Sequence, residues 1–166
     1  LKMKNKLKTF AKGILDVINS HSGRIFYVSK SESNLFGLLT SFIRSHKLPE
    51  GNLFLTPYLR FNQLLNPKKG KDYKERTISS IIELSPGKRF ILMGDDTQQD
   101  MAVYASIAEQ YPDRIVKIFI HKTRKKLFGN TKEQLDKLNT LVVPLLYFSD
   151  TDSITNELQM INKITN

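Results

Sequence analysis

The chain contains no cysteine. That excludes a disulfide framework and a thiolate metal site, and it suits a reducing compartment such as the cytoplasm. It has no apolar run near the roughly 20 residues that a membrane span needs. Its amino end is basic but lacks the apolar core of a signal peptide. No repeat and no linker interrupts the 166 residues. The expectation is one domain over residues 1–166, with a basic, frayed end at 1–8 and a loop at 56–70. The chain starts at Leu1 and reads as a piece of a longer protein. Acidic residues are the scarcer charge: 16 Asp and Glu stand against 26 Lys and Arg, for a net charge of +10. That balance favours anionic partners, whether phosphorylated substrates, an acidic membrane surface or nucleic acid. The aromatics fall on strand and helix patterns and form no stacking platform, which disfavours nucleic acid.

What is present is an alternation of strand and helix patterns. Phe10, Ile14, Leu15, Val17 and Ile18 recur at helical spacing up to about Ser20. Arg24 to Ser29 is a β-branched and aromatic strand. Leu35, Phe36, Leu38, Leu39, Phe42 and Ile43 make the apolar face of the next helix, with Ser33 as its N-cap. A strand over Asn52 to Leu55 is followed by a helix from about Asp72, with Lys74 in its first turn and Ile78, Ile81, Ile82 and Leu84 inward. Further strands are expected at Phe90 to Met93, Arg114 to Ile120 and Leu141 to Phe148. Helices are expected from Gln98 to Gln110, Thr131 to Leu138 and Thr151 to Ile164. Such alternation predicts a doubly wound, mainly parallel α/β sheet.

The chemistry concentrates where the Phe90 strand ends. Gly94 is followed by Asp95, Asp96 and Asp100, at the carboxyl end of a strand, where open α/β sheets bind ligands. Carboxylates beside a tight turn suit a hard cation such as Mg²⁺. A solvated strand–helix turn with a capping Asp or Thr explains the same residues without a metal. Ser29, Lys30 and Ser31 lie between a strand end and a helix start, where hydroxyls and free N–H groups can meet a phosphate. Lys74 in a first helical turn opposes the helix dipole, which an anion nearby would relieve. His121 to Lys126 is a basic run past another strand end, able to meet a phosphate or lipid headgroup, or simply to be solvated.

These residues carry a family resemblance. Phe26-Tyr27-Val28-Ser29, Asn34-Leu35-Phe36, Lys74 with Ile78, Gly94-Asp95 with Gln98-x-Asp100 and Tyr104, and Tyr111-Pro112-x-Arg114-Ile115 together resemble the catalytic domain of the actin-patch-protein type of phosphatidate phosphatase. That family is placed in the haloacid-dehalogenase-like superfamily, with a Rossmann-like fold. The resemblance implies a Mg²⁺-dependent phosphomonoesterase with an aspartyl-phosphate intermediate, acting on an anionic lipid and peripheral to membranes. By position it implies Ser29 as the phosphate-binding hydroxyl, with Lys30, Ser31 and Asn34 beside it. Lys74 would neutralise the phosphoryl group. Asp95 would bind the metal directly, and Asp100 directly or through water.

Three departures stand out. Glu32-Ser33 replaces the family's Pro-Trp, and Asp96-Thr97 replaces Ser-Gly. The family's nucleophilic Asp-x-Asp-x-Thr motif has no counterpart upstream of Phe10, so the fold is expected to lack the family's first strand. Either that strand belongs to the longer parent, or the chain is a non-catalytic phosphate- or headgroup-binding module, or Asp150-x-Asp152 is a permuted nucleophile. Helix capping explains Asp150 and Asp152 without catalysis.

Overall fold

The structure is a computed structural model that describes residues 23–57, 67–96, 99–124, 129–150, 153–154 and 156–157, with backbone alone at 67–71. The helix expected at Phe10 to Ser20 lies outside the described residues, as does most of the closing helix. The described chain forms two compact units, and each is taken by itself.

The first unit holds β1 (Phe26–Glu32), α1 (Phe36–Ser45) and β2 (Asn52–Thr56). β1 and β2 pair in parallel, Phe26 opposite Asn52 through Ser29 opposite Leu55, and the register then slips so that Glu32 faces Thr56. β1 therefore continues three residues past its expected end at Ser29. Ser33 is not the helix N-cap. It opens a 3-10 turn, Ser33–Leu35, and the cap positions Glu32 and Leu35 make no side-chain cap bond. Gly51 is needed where β2 begins, because a Cβ there would lie 2.7 Å from the Ile25 carbonyl oxygen. The Tyr27 hydroxyl donates to the Pro49 carbonyl at 2.8 Å and ties this turn to β1.

The second unit spans Leu59–Tyr147. Its first described element is α2 (Pro67–Glu83). The expected loop at 56–70 is thus shorter at both ends. Thr56 belongs to β2, and the helix opens at Pro67, whose fixed φ and missing N–H suit a first helical position. Lys74 accordingly stands two turns into the helix and not in its first turn. Ile78 and Ile82 are buried as expected, but Leu84 lies past the helix end and is exposed.

β3 (Phe90–Asp95), α3 (Asp100–Gln110) and β4 (Ile115–His121) follow, then α4 (Asn130–Asn139) and β5 (Leu145–Phe148). β3 runs through Gly94 and Asp95 and does not break at Gly94. It pairs in parallel with β4, from Leu92 opposite Ile118 to Asp95 opposite His121, and β5 lies on the other side of β4. The last strand is shorter than expected: it starts after Pro144, and Val142 is exposed. Parallel strands covered by helices thus give the α/β class, with the described strands paired as a two-stranded and a three-stranded sheet. Met101, Val103, Ile107, Ile118, Phe119 and Ile120 are fully buried and form the core that supports the carboxyl ends of β3 and β4.

Arg114, from the Tyr-Pro-x-Arg-Ile stretch, holds this unit together at the opposite end of β3. Its guanidinium donates to the carbonyls of Lys88 at 2.6 Å, Ser85 at 2.5 Å and Ile82 at 3.2 Å. These are carbonyls at the end of α2 and in the turn to β3; those of Ile82 and Ser85 also accept the backbone N–H of Ser85 and Lys88, each at 3.2 Å, so the guanidinium adds a second donor there. The neighbouring Tyr111 hydroxyl donates to Glu83 at 2.7 Å.

Candidate active site

Three of the expected site residues come together at the carboxyl end of β3. Lys74 Nζ donates to Asp100 Oδ1 at 2.5 Å, and both side chains are largely buried, 14% and 12% exposed. The other oxygen of Asp100 accepts a long 3.3 Å bond from the Asp95 backbone N–H. Asp100 opens α3, where the helix N-terminus favours a negative charge. Lys74 is not in the first helical turn, so the helix dipole no longer calls for an anion beside it; its partner is Asp100, 26 residues away in sequence.

Gly94 makes this approach possible. A Cβ there would lie 2.5 Å from Asp100 Oδ2 and 2.8 Å from both Asp100 Cβ and Tyr104 Cε2. Glycine is required by close packing, since its φ is not positive. Tyr104 closes the floor. Its hydroxyl donates to the Met93 carbonyl at 2.7 Å, and its ring lies 5.8 Å from Lys74 Nζ. Burial, together with the charges of Asp100 and Asp95, pushes the Tyr104 hydroxyl well above its ordinary value. It stays a neutral donor.

Asp96 has a different role from its neighbours. It is 1% exposed and belongs to a second network. Its Oδ1 accepts from the Thr123 N–H at 3.0 Å and from the Thr123 hydroxyl, and its Oδ2 accepts from the Tyr147 hydroxyl at 2.8 Å. Its own N–H donates to the His121 carbonyl at 3.2 Å. Burial pushes the carboxyl up, but the bonds from Thr123, Tyr147 and the Arg124 backbone outweigh it and hold the carboxyl below its ordinary value. His121, grouped above with the basic run, is instead the buried last residue of β4. Lys125 and Lys126 lie outside the described residues.

Ser29, Lys30, Ser31 and Asn34 belong to the first unit. The Ser29 Oγ accepts from the Ser31 N–H at 3.1 Å and donates to the Ser31 Oγ at 3.1 Å, so the two hydroxyls form one local pair at the slip in the β1 register. Lys30 and Asn34 are exposed. Asp150 Oδ1 accepts from the N–H and hydroxyl of Ser153, which is the capping arrangement and not that of a poised nucleophile. Asp152 lies outside the described residues. A groove of ≈ 410 Å³ lined by Asp72, Glu75, Arg76, Ser79 and Gln110 includes none of these site residues.

Comparison with known proteins names the fold's relatives. Residues 2–122 match the family described as phosphatidate phosphatase APP1, catalytic domain. The chain belongs to that family. It is 29% identical over 122 residues to phosphatidate phosphatase APP1 of Saccharomyces cerevisiae, covering 70% of this chain and 20% of the relative. It is 28% identical over 130 residues to an uncharacterized protein of Schizosaccharomyces pombe, covering 75% of this chain and 21% of the relative. The chain thus spans about a fifth of the length of these curated relatives. No solved structure matches it. The match to the phosphatidate phosphatase family covers β1 through β4, and so includes Ser29, Lys74, Asp95 and Asp100.

The donor set at β3 fits Mg²⁺. Asp95, the last residue of β3, and Asp100, the first of α3, are hard oxygen donors, and Mg²⁺ is held by one or two carboxylates with water and substrate oxygens completing its shell. Among the described residues no group of three or more His, Cys, Asp or Glu could hold a metal. No helix among the described residues is long and apolar enough to cross a membrane.

Proposed function

We propose that this chain carries the catalytic core of a Mg²⁺-dependent phosphomonoesterase that converts phosphatidate to diacylglycerol and phosphate. The observation that carries the reading is the Lys74–Asp100–Asp95 cluster at the carboxyl end of β3, in a chain of the phosphatidate phosphatase family. Asp95 would hold the metal, with Asp100 beside it directly or through water. Bound there, Mg²⁺ would neutralise charge on the phosphoryl oxygens, which is most of what phosphoryl transfer asks of a protein. Asp100 fixes the ammonium group of Lys74 in a near-dry setting, where it would meet the phosphoryl group without reorganising. Ser29 would donate its hydroxyl to a phosphate oxygen, with Lys30, Ser31 and Asn34 as further phosphate contacts. The haloacid-dehalogenase-like mechanism also needs a carboxylate nucleophile. No Asp or Glu precedes Phe10, so this reading draws the nucleophile from residues upstream in the parent protein. The excess of basic residues suits work at an anionic membrane surface.

The test is hydrolysis of phosphatidate and of a chromogenic phosphomonoester, with and without Mg²⁺, by this chain and by the chain extended upstream. The reading expects Mg²⁺-dependent phosphate release from the extended form alone. Release by this chain alone would require an internal nucleophile. Inactivity of both forms would overturn the reading in favour of a phosphate-binding module of the same fold.

A further inference from the structure

We propose that Asp96 is a positioning residue: it ties the carboxyl ends of β3, β4 and β5 together, holds the adjacent Asp95 in one place, and so makes the metal position favour Mg²⁺ over larger divalent cations. The proposal rests on Asp95 as the metal ligand, the reading given above. It adds a residue outside the family pattern, because Asp96 stands where that pattern has serine. Asp95 is the last residue of β3 and pairs with His121, the last of β4. A strand end opens more readily than its middle. Asp96 closes the next rung, since its N–H donates to the His121 carbonyl at 3.2 Å. Its carboxylate then reaches two further segments. Oδ1 accepts the N–H of Thr123 at 3.0 Å and the Thr123 hydroxyl, just past the end of β4. Oδ2 accepts the hydroxyl of Tyr147, in β5, at 2.8 Å. β4 lies between β3 and β5, so this last bond joins strands that share no ladder.

Asp96 is thus bonded at its N–H and at both carboxylate oxygens, and it is 1% exposed. Asp95, one peptide bond before it, shares the restraint. On its other side the Asp95 N–H donates to Asp100 Oδ2 at 3.3 Å. Stability alone does not call for a carboxylate at this place, because taking a charge out of water costs free energy that hydrogen bonds at best offset. Two acceptor oxygens do what an apolar side chain or a serine hydroxyl does not: they fix distance and direction to donors on two different segments. Such precision matters to Mg²⁺, which demands near-ideal octahedral geometry at about 2.0–2.1 Å, whereas Ca²⁺ accepts flexible sets of oxygens at about 2.3–2.6 Å. A carboxylate that wanders loses Mg²⁺ first.

The experiment is calorimetric titration of Mg²⁺ and, separately, Ca²⁺ into the full chain and its variants, at a temperature where circular dichroism shows each one folded. Tyr147→Phe and Thr123→Val remove hydroxyls and leave every charge in place, so a change in affinity reports position. Combined, they should weaken Mg²⁺ binding roughly tenfold and Ca²⁺ binding by no more than about twofold. Tyr147→Phe alone should cost about threefold for Mg²⁺, and it carries the test if the combined variant does not fold. Thr123→Ser, which keeps the hydroxyl, should bind like the unaltered chain. Arg114→Ala, altered at the opposite end of β3, should also keep normal Mg²⁺ affinity. Unchanged Mg²⁺ affinity in Tyr147→Phe and in the combined variant would overturn the proposal and leave Asp95 as the ligand. Equal losses of Mg²⁺ and Ca²⁺, or the same loss in Arg114→Ala, would reduce Asp96 to a purely structural tie and overturn it as well. Asp96→Asn should weaken Mg²⁺ binding without abolishing it. Abolition there, with the combined variant normal, would make Asp96 itself a ligand and overturn its positioning role. Absence of Mg²⁺ binding by the unaltered chain would overturn both this proposal and the metal-supported reading on which it rests.

Discussion

Six of the seven residues of β4 are buried, and none of the seven in β1 is. Both are parallel strands rich in β-branched and aromatic residues, and each sequence reads as a buried strand. The contrast extends to the helices. α3 buries seven of its eleven residues, whereas α1 buries none, and Phe36 and Leu38 of α1 are 53% and 67% exposed. The candidate residues of the two units therefore rest on different foundations. Lys74, Asp95 and Asp100 are positioned by a packed core. Ser29 and Ser31 are positioned by each other and by the register slip in β1. A hydroxyl pair set by local backbone can adjust to a ligand. An ion pair set by packing is pre-organised, and its geometry is vulnerable to distant substitutions.

The sharpest way to break that comparison is to truncate one phenylalanine in each unit. Phe119→Ala, in β4, should destabilise by about 3–5 kcal/mol. Phe36→Ala, in α1, should stay within about 0.5 kcal/mol. Denaturant unfolding of both variants checks this, and equal losses would erase the difference between the units. Next in size is Arg114→Ala, which removes the guanidinium from three carbonyls at and beyond the end of α2 and should cost about 2 kcal/mol. Arg114→Lys should not restore it, because an ammonium cannot reproduce the planar fork. Gly94→Ala should cost about 1–3 kcal/mol by overpacking against Asp100 and Tyr104, and it should weaken Mg²⁺ binding as Asp100 is displaced. A variant that unfolds normally and binds Mg²⁺ normally would show that the close approach at Gly94 is not needed.

The smallest effect concerns pH. The folded protein holds the Tyr104 hydroxyl above its ordinary value, whereas the unfolded chain ionises it near pH 10. Its contribution to stability is therefore fully present below about pH 10 and is lost as the pH rises from there toward the raised folded value. The difference in unfolding midpoint between the unaltered chain and Tyr104→Phe should shrink between pH 8 and 11. A constant difference would contradict the assignment.

Much of this was legible in the chain. The alternation of periods located β3, α3, β4 and α4 to within one or two residues, because each is bounded by Gly, Pro or a change of period. The acids after Gly94 marked the strand end where the cluster forms. What was not legible depends on contacts distant in sequence. Nothing local to Lys74 names Asp100, because the pair is made between α2 and the start of α3. Asp96 and Asp95 are alike in sequence, and only Thr123 and Tyr147 separate a structural carboxylate from a candidate metal ligand. Arg114 stood in a recognisable stretch, yet its role lies in the carbonyls of Ile82, Ser85 and Lys88, which carry no side-chain signature. Pro67, as a first helical residue, marks the start of α2, five residues before the expected one.

The most direct test of the central claim is calorimetric titration of Mg²⁺ into the full chain and into Asp95→Asn, with thermal unfolding of both measured alongside. The account predicts saturable binding to the unaltered chain, none to the variant, and nearly unchanged unfolding temperatures. Equal Mg²⁺ affinity in the two would remove Asp95 from the site and contradict the reading of the β3 cluster as a metal-supported phosphoryl-transfer centre.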